Sequence, residues 1–379
     1  MATHTMWAIR IHRYGGPEQI MLEETLRPVP QAGEVLVRVH AAGVNPADWQ
    51  IITGVMKEPV TFPFTPGIEM AGVVDAAGPG VSADLIGHAV LGQIPHGAYA
   101  EYVAVPLAAL ARKPQAVRFI EAAAFPVGAR TAWRALFDNA GLTAGQRVLI
   151  QGATNGVSVF AVQLAKWKGA QVIGTVATAA HRAFVRALGA DMVVEYTTTL
   201  RDHGVQDVDL VLHGGAAPLS SSLAALRHGG TLIANASPGP AEQEEIQARG
   251  VRVVTSRGLA SASLETLTRL ADEGALTVPI GKTFSLSEVP RPTPMRRAVR
   301  GVAGLCCVWW KIDHTSNASS LERACQRSRP LAPASGVCRC CPWPRSRGQS
   351  AYRCRARTFQ RALTGPHDHP RHWSQSSAA

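Results

Sequence analysis

A chain of 379 residues is long enough for two or three domains around a sizeable core. Its net charge of +11 is local: residues 1–290 hold 22 Lys+Arg against 24 Asp+Glu, whereas residues 291–379 hold 16 against 3, so the body itself carries no charge suited to nucleic acid or a membrane. All seven cysteines (Cys306, Cys307, Cys325, Cys338, Cys340, Cys341 and Cys354) also follow residue 290, which excludes a disulfide scaffold or a thiolate zinc site in the body.

Residues 1–19 lack the apolar stretch of a signal peptide, and the longest apolar run near the end, 302–310, is too short to span a bilayer. The expected location is the cytoplasm. Residues 6–13 alternate apolar and polar, Tyr14, Gly15, Gly16 and Pro17 read as a turn, and residues 34–42 alternate again in the register of a half-buried strand. Residues 67–77, 88–91 and 98–105 continue this pattern with Gly and Pro at the joints, which predicts a barrel-like β domain. Residues 125–142 turn helical and lead through Thr143, Ala144 and Gly145 into alternating strands and helices. Strands are expected near Val148, Val172, Val193, Leu210, Leu232 and Val253, enough for a doubly wound parallel sheet. The nearly continuous apolar runs 209–212 and 231–234 suit strands covered on both faces. Residues 264–273 read as an amphipathic helix, and residues 283–289 should return to the first domain.

Within this stretch, residues 147–196 carry the chemistry. An apolar run at 148–151 ends at Gly152, Gly156 opens a helix, and Val157, Phe160, Ala161, Leu164 and Ala165 then recur at helical spacing before a second strand at 171–175. Such a turn presents backbone N–H groups and the positive end of a helix dipole to a pyrophosphate, although an ordinary strand-to-helix turn has the same pattern. The two glycines are four apart rather than arranged as G-x-G-x-x-G. No Asp or Glu occurs from residue 147 to 190, so the carboxylate that accepts the ribose hydroxyls of NAD is missing after the second strand. Thr178, His181 and Arg182 occupy that loop instead and suit a 2′-phosphate. The expected cofactor is NADPH, while Arg182 taken alone also reads as a solvated helix-face charge.

The order of residues 9–17 (IRIHRYGGP), 42–49 (AGVNPADW), 66–72 (PGIEMAG) and 152–165 resembles the medium-chain dehydrogenase/reductase superfamily and, within it, the zinc-independent quinone oxidoreductases. The resemblance spans residues 6–290. It implies an α/β protein with a chaperonin-10-like β-barrel catalytic domain (1–122 and 275–290), a six-stranded Rossmann domain that binds NADPH (123–274), a cleft between them and a possible homodimer. Zinc-dependent members place a cysteine where this chain has Asn45 and a histidine where it has Ile68, beside Glu69. Neither residue here could ligate, so no metal is expected. Without a Lewis acid the substrate must already carry an electrophilic carbon, as a quinone or a conjugated enone does.

In that reading NADPH donates hydride, and the protein orients the reactants, excludes water and donates hydrogen bonds to the acceptor oxygen. Asn45 is the first candidate donor, and it also suits a structural turn before Pro46. Asp48 opens a helical turn, either as a catalytic group or as an N-cap. Thr131 falls where relatives place a threonine beside the nicotinamide, and Gln50 where some have a tyrosine facing the cleft. The phosphate loop falls on Gly152, Ala153, Asn155, Gly156 and Val157. The family's 2′-phosphate grip of a hydroxyl, a basic residue and a tyrosine falls on Thr178, His181 or Arg182, and Tyr196. Relatives commonly have glycine at Asn155, which can adopt a left-handed conformation, and at Ser158, which adds a side chain where helix and strand approach. His213 stands where relatives often have an acid, and it reads as structural.

From Arg291 onward the resemblance stops. Relatives continue with a helix and a glycine-basic-apolar strand that closes the catalytic domain, whereas residues 291–379 are rich in Arg, Pro, Ser, Cys and Trp, have a single Lys, and sustain neither helical nor strand periodicity. Arg-heavy, Lys-poor sequence with sudden cysteines is what a shifted reading frame in GC-rich DNA encodes, so an irregular, non-native tail is expected. Its fifteen arginines and interspersed Trp residues also suit nonspecific nucleic-acid binding, and Cys338, Cys340, Cys341, His367, His369 and His372 suit a metal, although their spacing matches no regular zinc pattern. Two functions follow: an NADPH-dependent quinone or enone reductase, or a nucleotide-binding protein without turnover that uses the basic tail as an interaction arm.

Overall fold

In the computed structural model, residues 4–56, 59–196, 199–215, 217–235, 237–256, 258 and 260–288 are described, together with the backbone of 308–311. Strands β1 (Thr5–Arg10) and β2 (Met21–Leu26) pair antiparallel across the turn that ends at Pro17. The alternating stretch expected at 34–42 is strand β3 (Glu34–Ala42), and Asn45 and Pro46 then start helix α1 (Pro46–Ile52), with proline at a position where its missing N–H costs nothing. Strands β4 (Glu69–Ala77), β5 (Ala89–Gln93), β6 (Tyr102–Pro106) and β7 (Leu110–Arg112) join β3 in an antiparallel sheet of order β6-β3-β4-β5-β7. Val35, Val37 and Val39 of β3, Met70 and Val74 of β4, and Val103 and Val105 of β6 fill one core with Ile9, Ile11 and Tyr99.

Two helices, α2 (Phe119–Ala123) and α3 (Pro126–Trp133), lead out of this sheet, and α3 continues as a π-type turn over Arg134–Asn139. The second sheet is parallel and contains β8 (Arg147–Ile150), β9 (Gln171–Val176), β10 (Met192–Glu195), β11 (Val208–Leu212), β12 (Leu226–Ile233) and β13 (Arg252–Val254). Its order is β10-β9-β8-β11-β12-β13, so the chain reverses direction of winding between β8 and β11. Helix α4 (Gly156–Trp167) follows β8, α5 (Arg182–Ala187) follows β9, α6 (Leu219–Ala225) follows β11 and α7 (Pro240–Ala248) follows β12. Burial on both faces is visible residue by residue: Val148, Ile150, Val172, Val193, Leu210 and Leu212 face a core shared with α3 and α4, whereas Leu149, Ile173, Val194 and Val211 face a separate core with Leu219 and Leu223 of α6.

Helix α8 (Leu264–Asp272) packs Leu264, Leu267 and Leu270 into the first of those cores. Strand β14 (Lys282–Ser285) then returns to the barrel, where Phe284 and Leu286 join its core as the sequence suggested. Three features differ from expectation. Strand β2 carries Glu23 and Glu24 and buries no residue completely, so it has no apolar periodicity to announce it; α2 is a single short turn set up by the Arg118–Glu121 pair. The stretch after 290 was expected to be irregular throughout, yet Val308–Lys311 forms strand β15, parallel to β14. Its four residues are too few to show a period. The rest of 291–379 lies outside the described residues.

Candidate active site

The residues expected to meet the substrate lie where β3 ends, α1 begins and β4 starts. Asn45 is the N-cap of α1 with extended backbone (φ −117°, ψ 154°), and Asp48 is the third residue of the helix rather than its cap, correcting the sequence reading. The Asp48 carboxylate reaches back to accept the Asn45 backbone N–H at 2.7 Å and also accepts the Tyr99 hydroxyl at 2.8 Å. It is fully buried. Burial pushes its carboxyl up to about 7, against the lowering effect of those two hydrogen bonds.

Glu69, the first residue of β4, completes the cluster. One carboxylate oxygen accepts the Asn45 side-chain N–H at 2.8 Å and the other accepts the Val127 backbone N–H of α3 at 2.8 Å. Only 3% of Glu69 is exposed, and a Cβ added at Gly43 would overlap its carboxylate, so glycine is required beside it. Burial pushes Glu69 up to about 8, and the nearby Asp48 charge adds to the shift. Tyr99, fully buried, is pushed well above its usual value by burial and by Asp48. Glu69, Tyr99 and Val127 were not among the sequence candidates. Thr131 is half-buried on α3, four residues beyond Val127, whereas Gln50 is exposed on α1 and is not brought into the cluster.

The dinucleotide loop lies at the reversal between β8 and β11. Gly152 takes the left-handed conformation (φ 62°), and its N–H donates to Thr175 Oγ1 at 3.0 Å. The Ala153 N–H donates to the Thr175 carbonyl at 2.8 Å, so this amide is used inside the fold. Asn155 is extended (φ −75°, ψ 156°), not left-handed, and its amide donates to the Gly214 carbonyl at 3.3 Å instead of capping α4. The first intrahelical bond of α4 is Val159 N–H to Asn155 carbonyl, which leaves the N–H groups of Gly156, Val157 and Ser158 without a side-chain cap at the positive end of the dipole. Ser158 is buried; close approaches in this part of the chain also fall at Gly128 on α3, where a Cβ would meet Phe160 of α4, and at Gly174 of β9, where it would meet Val185 and Ala153.

Beyond β9 the loop carries an exposed Thr178, whose hydroxyl lies 3.2 Å from His181 Nδ1, and Tyr196 sits beside it with its N–H donated to the Val176 carbonyl. Arg182 is not a free cation: its guanidinium pairs with Glu195 on the neighbouring strand at 2.9 Å. The stretch without acids ends at residue 190, but the sheet brings a carboxylate back from β10. His213, at the end of β11, has Nδ1 2.8 Å from Gln151 Oε1 and 3.0 Å from Ser222 Oγ, and burial lowers its pKa.

Residues 31–115 match the alcohol dehydrogenase GroES-like domain family, and residues 156–273 match the zinc-binding dehydrogenase family. The human quinone oxidoreductase is 34% identical over 246 residues, covering 62% of this chain and 75% of that protein. The chain belongs to the quinone oxidoreductase-like branch of the medium-chain dehydrogenase/reductase superfamily. A solved NAD-dependent alcohol dehydrogenase superposes with a TM-score of 0.74 at 31% identity, and the quinone oxidoreductase from Coxiella burnetii with 0.68 at 28% identity. Those matches cover 81% and 82% of this chain and all of each solved chain, so the GroES-like barrel and the Rossmann sheet are the family's two domains.

Membership in this superfamily implies a nicotinamide cofactor, and the uncapped first turn of α4 at the reversal between β8 and β11 fits its pyrophosphate. The Asn45 amide donates to Glu69, and among the described residues no group of three or more His, Cys, Asp or Glu is arranged to hold a metal. Among the described residues no helix is long and apolar enough to cross a membrane.

Proposed function

We propose that the protein reduces a small quinone or α,β-unsaturated carbonyl with NADPH, without zinc. The observation that carries this reading is the Asn45 amide held on Glu69 at 2.8 Å, a hydrogen-bond donor where metal-using relatives need a ligand. When bound, the nicotinamide supplies a hydride to the electrophilic carbon of the acceptor. Asn45 has a second amide hydrogen, which stabilises the negative charge as it develops on the acceptor oxygen, and that oxygen then takes its proton from water. Such preorganised donation is worth roughly 3–4 kcal/mol of barrier when removed from comparable sites. Thr131 positions the nicotinamide, and Gly156, Val157 and Ser158 N–H groups hold the pyrophosphate. Residues 1–122 and 275–290 act as the catalytic domain and residues 123–274 as the cofactor domain.

NADPH preference rests on Thr178, His181, Arg182 and Tyr196 gathering at the end of β9. The Arg182–Glu195 pair tempers it, because Glu195 neutralises the cation a 2′-phosphate would use. The test is cofactor oxidation with a panel of small quinones and enones, run with NADPH and with NADH. Turnover with faster NADPH consumption is expected. Turnover that favours NADH overturns the cofactor assignment, and cofactor binding without turnover on any acceptor overturns the reductase.

A further inference from the structure

Glu69 does two things at once. Its Oε1 accepts from the Asn45 side chain in the barrel, and its Oε2 accepts from the Val127 backbone at the second residue of α3, in the cofactor domain. The residue before α3, Phe125, has no side chain able to cap it, so one first-turn donor of that helix, the Val127 N–H, finds its acceptor across the domain boundary. Asn45 is pinned a second time through its backbone N–H by Asp48, which is itself held by Tyr99. Gly43 keeps the space beside the Glu69 carboxylate clear.

We propose that Glu69 is the positioning residue that ties the Asn45 amide to the first turn of α3, so that the donor facing the acceptor oxygen and the helix carrying Thr131 are set in register by one carboxylate. This rests on the reductase reading above. Only a carboxylate can serve both partners: glutamine offers one acceptor oxygen and would turn its NH2 toward a donor. Misplacing a reacting group by about 1 Å costs on the order of a hundredfold in rate.

The experiment compares the full-length protein with Glu69→Gln, Glu69→Asp, Asn45→Ala and the Glu69→Gln/Asn45→Ala double variant, using NADPH and a small quinone. Glu69→Gln is expected to lower kcat by roughly tenfold or more with the quinone KM changed by less than about threefold, because ground-state binding is retained. The double variant should lose less than the product of the two single losses, since both changes remove the Asn45–Glu69 bond and only Glu69→Gln also removes the Val127 bond. Glu69→Asp, which keeps two acceptor oxygens, should recover part of the rate. Wild-type kcat in Glu69→Gln, or losses that multiply in the double variant, overturns the proposal. If Glu69→Gln does not fold, Glu69→Asp takes its place in the cycle with a smaller expected loss in kcat, because the shorter carboxylate spans the two partners less well; wild-type kcat or multiplying losses overturn the proposal in the same way. If the wild-type protein binds cofactor yet turns over no acceptor, the reductase reading falls by itself. The positioning claim is then read from amide exchange at Val127: faster exchange in the folded variant supports it, and unchanged exchange contradicts it.

Discussion

Asp48 and Glu69 lie in the barrel wall without a cation beside either carboxylate, and burial raises both, to about 7 and about 8. Backbone N–H groups and the Tyr99 hydroxyl oppose the shift of Asp48, the Val127 N–H and the Asn45 amide oppose that of Glu69, and the Asp48 charge adds to the shift of Glu69. A carboxyl whose folded pKa exceeds its unfolded value contributes stability that is complete below the unfolded pKa and is lost as pH rises through the folded one. The protein is therefore expected to lose stability between about pH 5 and pH 8. Chemical denaturation across that range checks it: the decline should flatten in Glu69→Gln and in Asp48→Asn, and an equally steep slope in both variants would contradict the assignment. Arg182 gives a second test at this scale. Glu195→Gln removes the charge that neutralises it, and the NADPH Kd should fall several-fold, of the order expected for one freed cation near a phosphate, with NADH unchanged. Fluorescence titration with both cofactors reads this directly, and equal changes for both would show that Arg182 does not meet the 2′-phosphate.

The residue types at 45, 48 and 69 were visible in the sequence, but their partnership was not. Asn45 and Asp48 are three apart and their capping relation is local; Glu69 is 24 residues from Asn45 and 58 from Val127, and neither hydrogen bond has a sequence signature. Glu195 escaped notice for the same reason, since the absence of acids was counted along the chain and strand pairing acts across it.

In the proposed reading, cofactor binding turns on helix α4. Its apolar positions Phe160, Ala161, Leu164 and Ala165 announced it, because 3.6-residue periodicity survives any detail of the ends. The ends themselves were harder to read. Asn155 is able to bend left-handed, yet Gly152 takes that conformation and Asn155 uses its side chain on Gly214, leaving the first turn without a side-chain cap. Asn155→Asp would remove that donor and set a carboxylate where the pyrophosphate belongs. The NADPH Kd should rise by roughly tenfold or more while Tm changes little, because the same charge favours the helix terminus in the free protein. Unchanged cofactor affinity would place the pyrophosphate elsewhere. Phe160 provides the packing counterpart: its ring meets Phe125 edge-on at 5.6 Å across α3 and α4, and Phe160→Ala should destabilise by about 3–5 kcal/mol in denaturant unfolding. A loss below about 1 kcal/mol would mean that the two helices do not depend on this contact.

At the scale of the whole molecule, two architectures are joined by α2 and α3, and β14 returns to the barrel. All six strands of the parallel sheet were legible, five as apolar runs with buried residues and the exposed edge strand β13 from the strand–helix alternation; β2, charged and partly exposed, and β15, in a stretch without strand periodicity, were not. The reading-frame idea for residues 291–379 concerns the gene: a single-base change near codons 291–295 should restore a helix followed by a glycine-basic-apolar strand, and a gene in which none does so contradicts it.

The central claim is hydride transfer to a conjugated acceptor by a site built from Asn45 and Glu69 instead of a metal. Its most direct measurement uses NADPH carrying deuterium at both C4 positions of the nicotinamide and a small enone, in solution containing a strong chelator. Deuterium at the β-carbon of the saturated product, at a rate unaffected by the chelator, is the predicted result; an unlabelled product, or turnover that appears only when zinc is supplied, would contradict it.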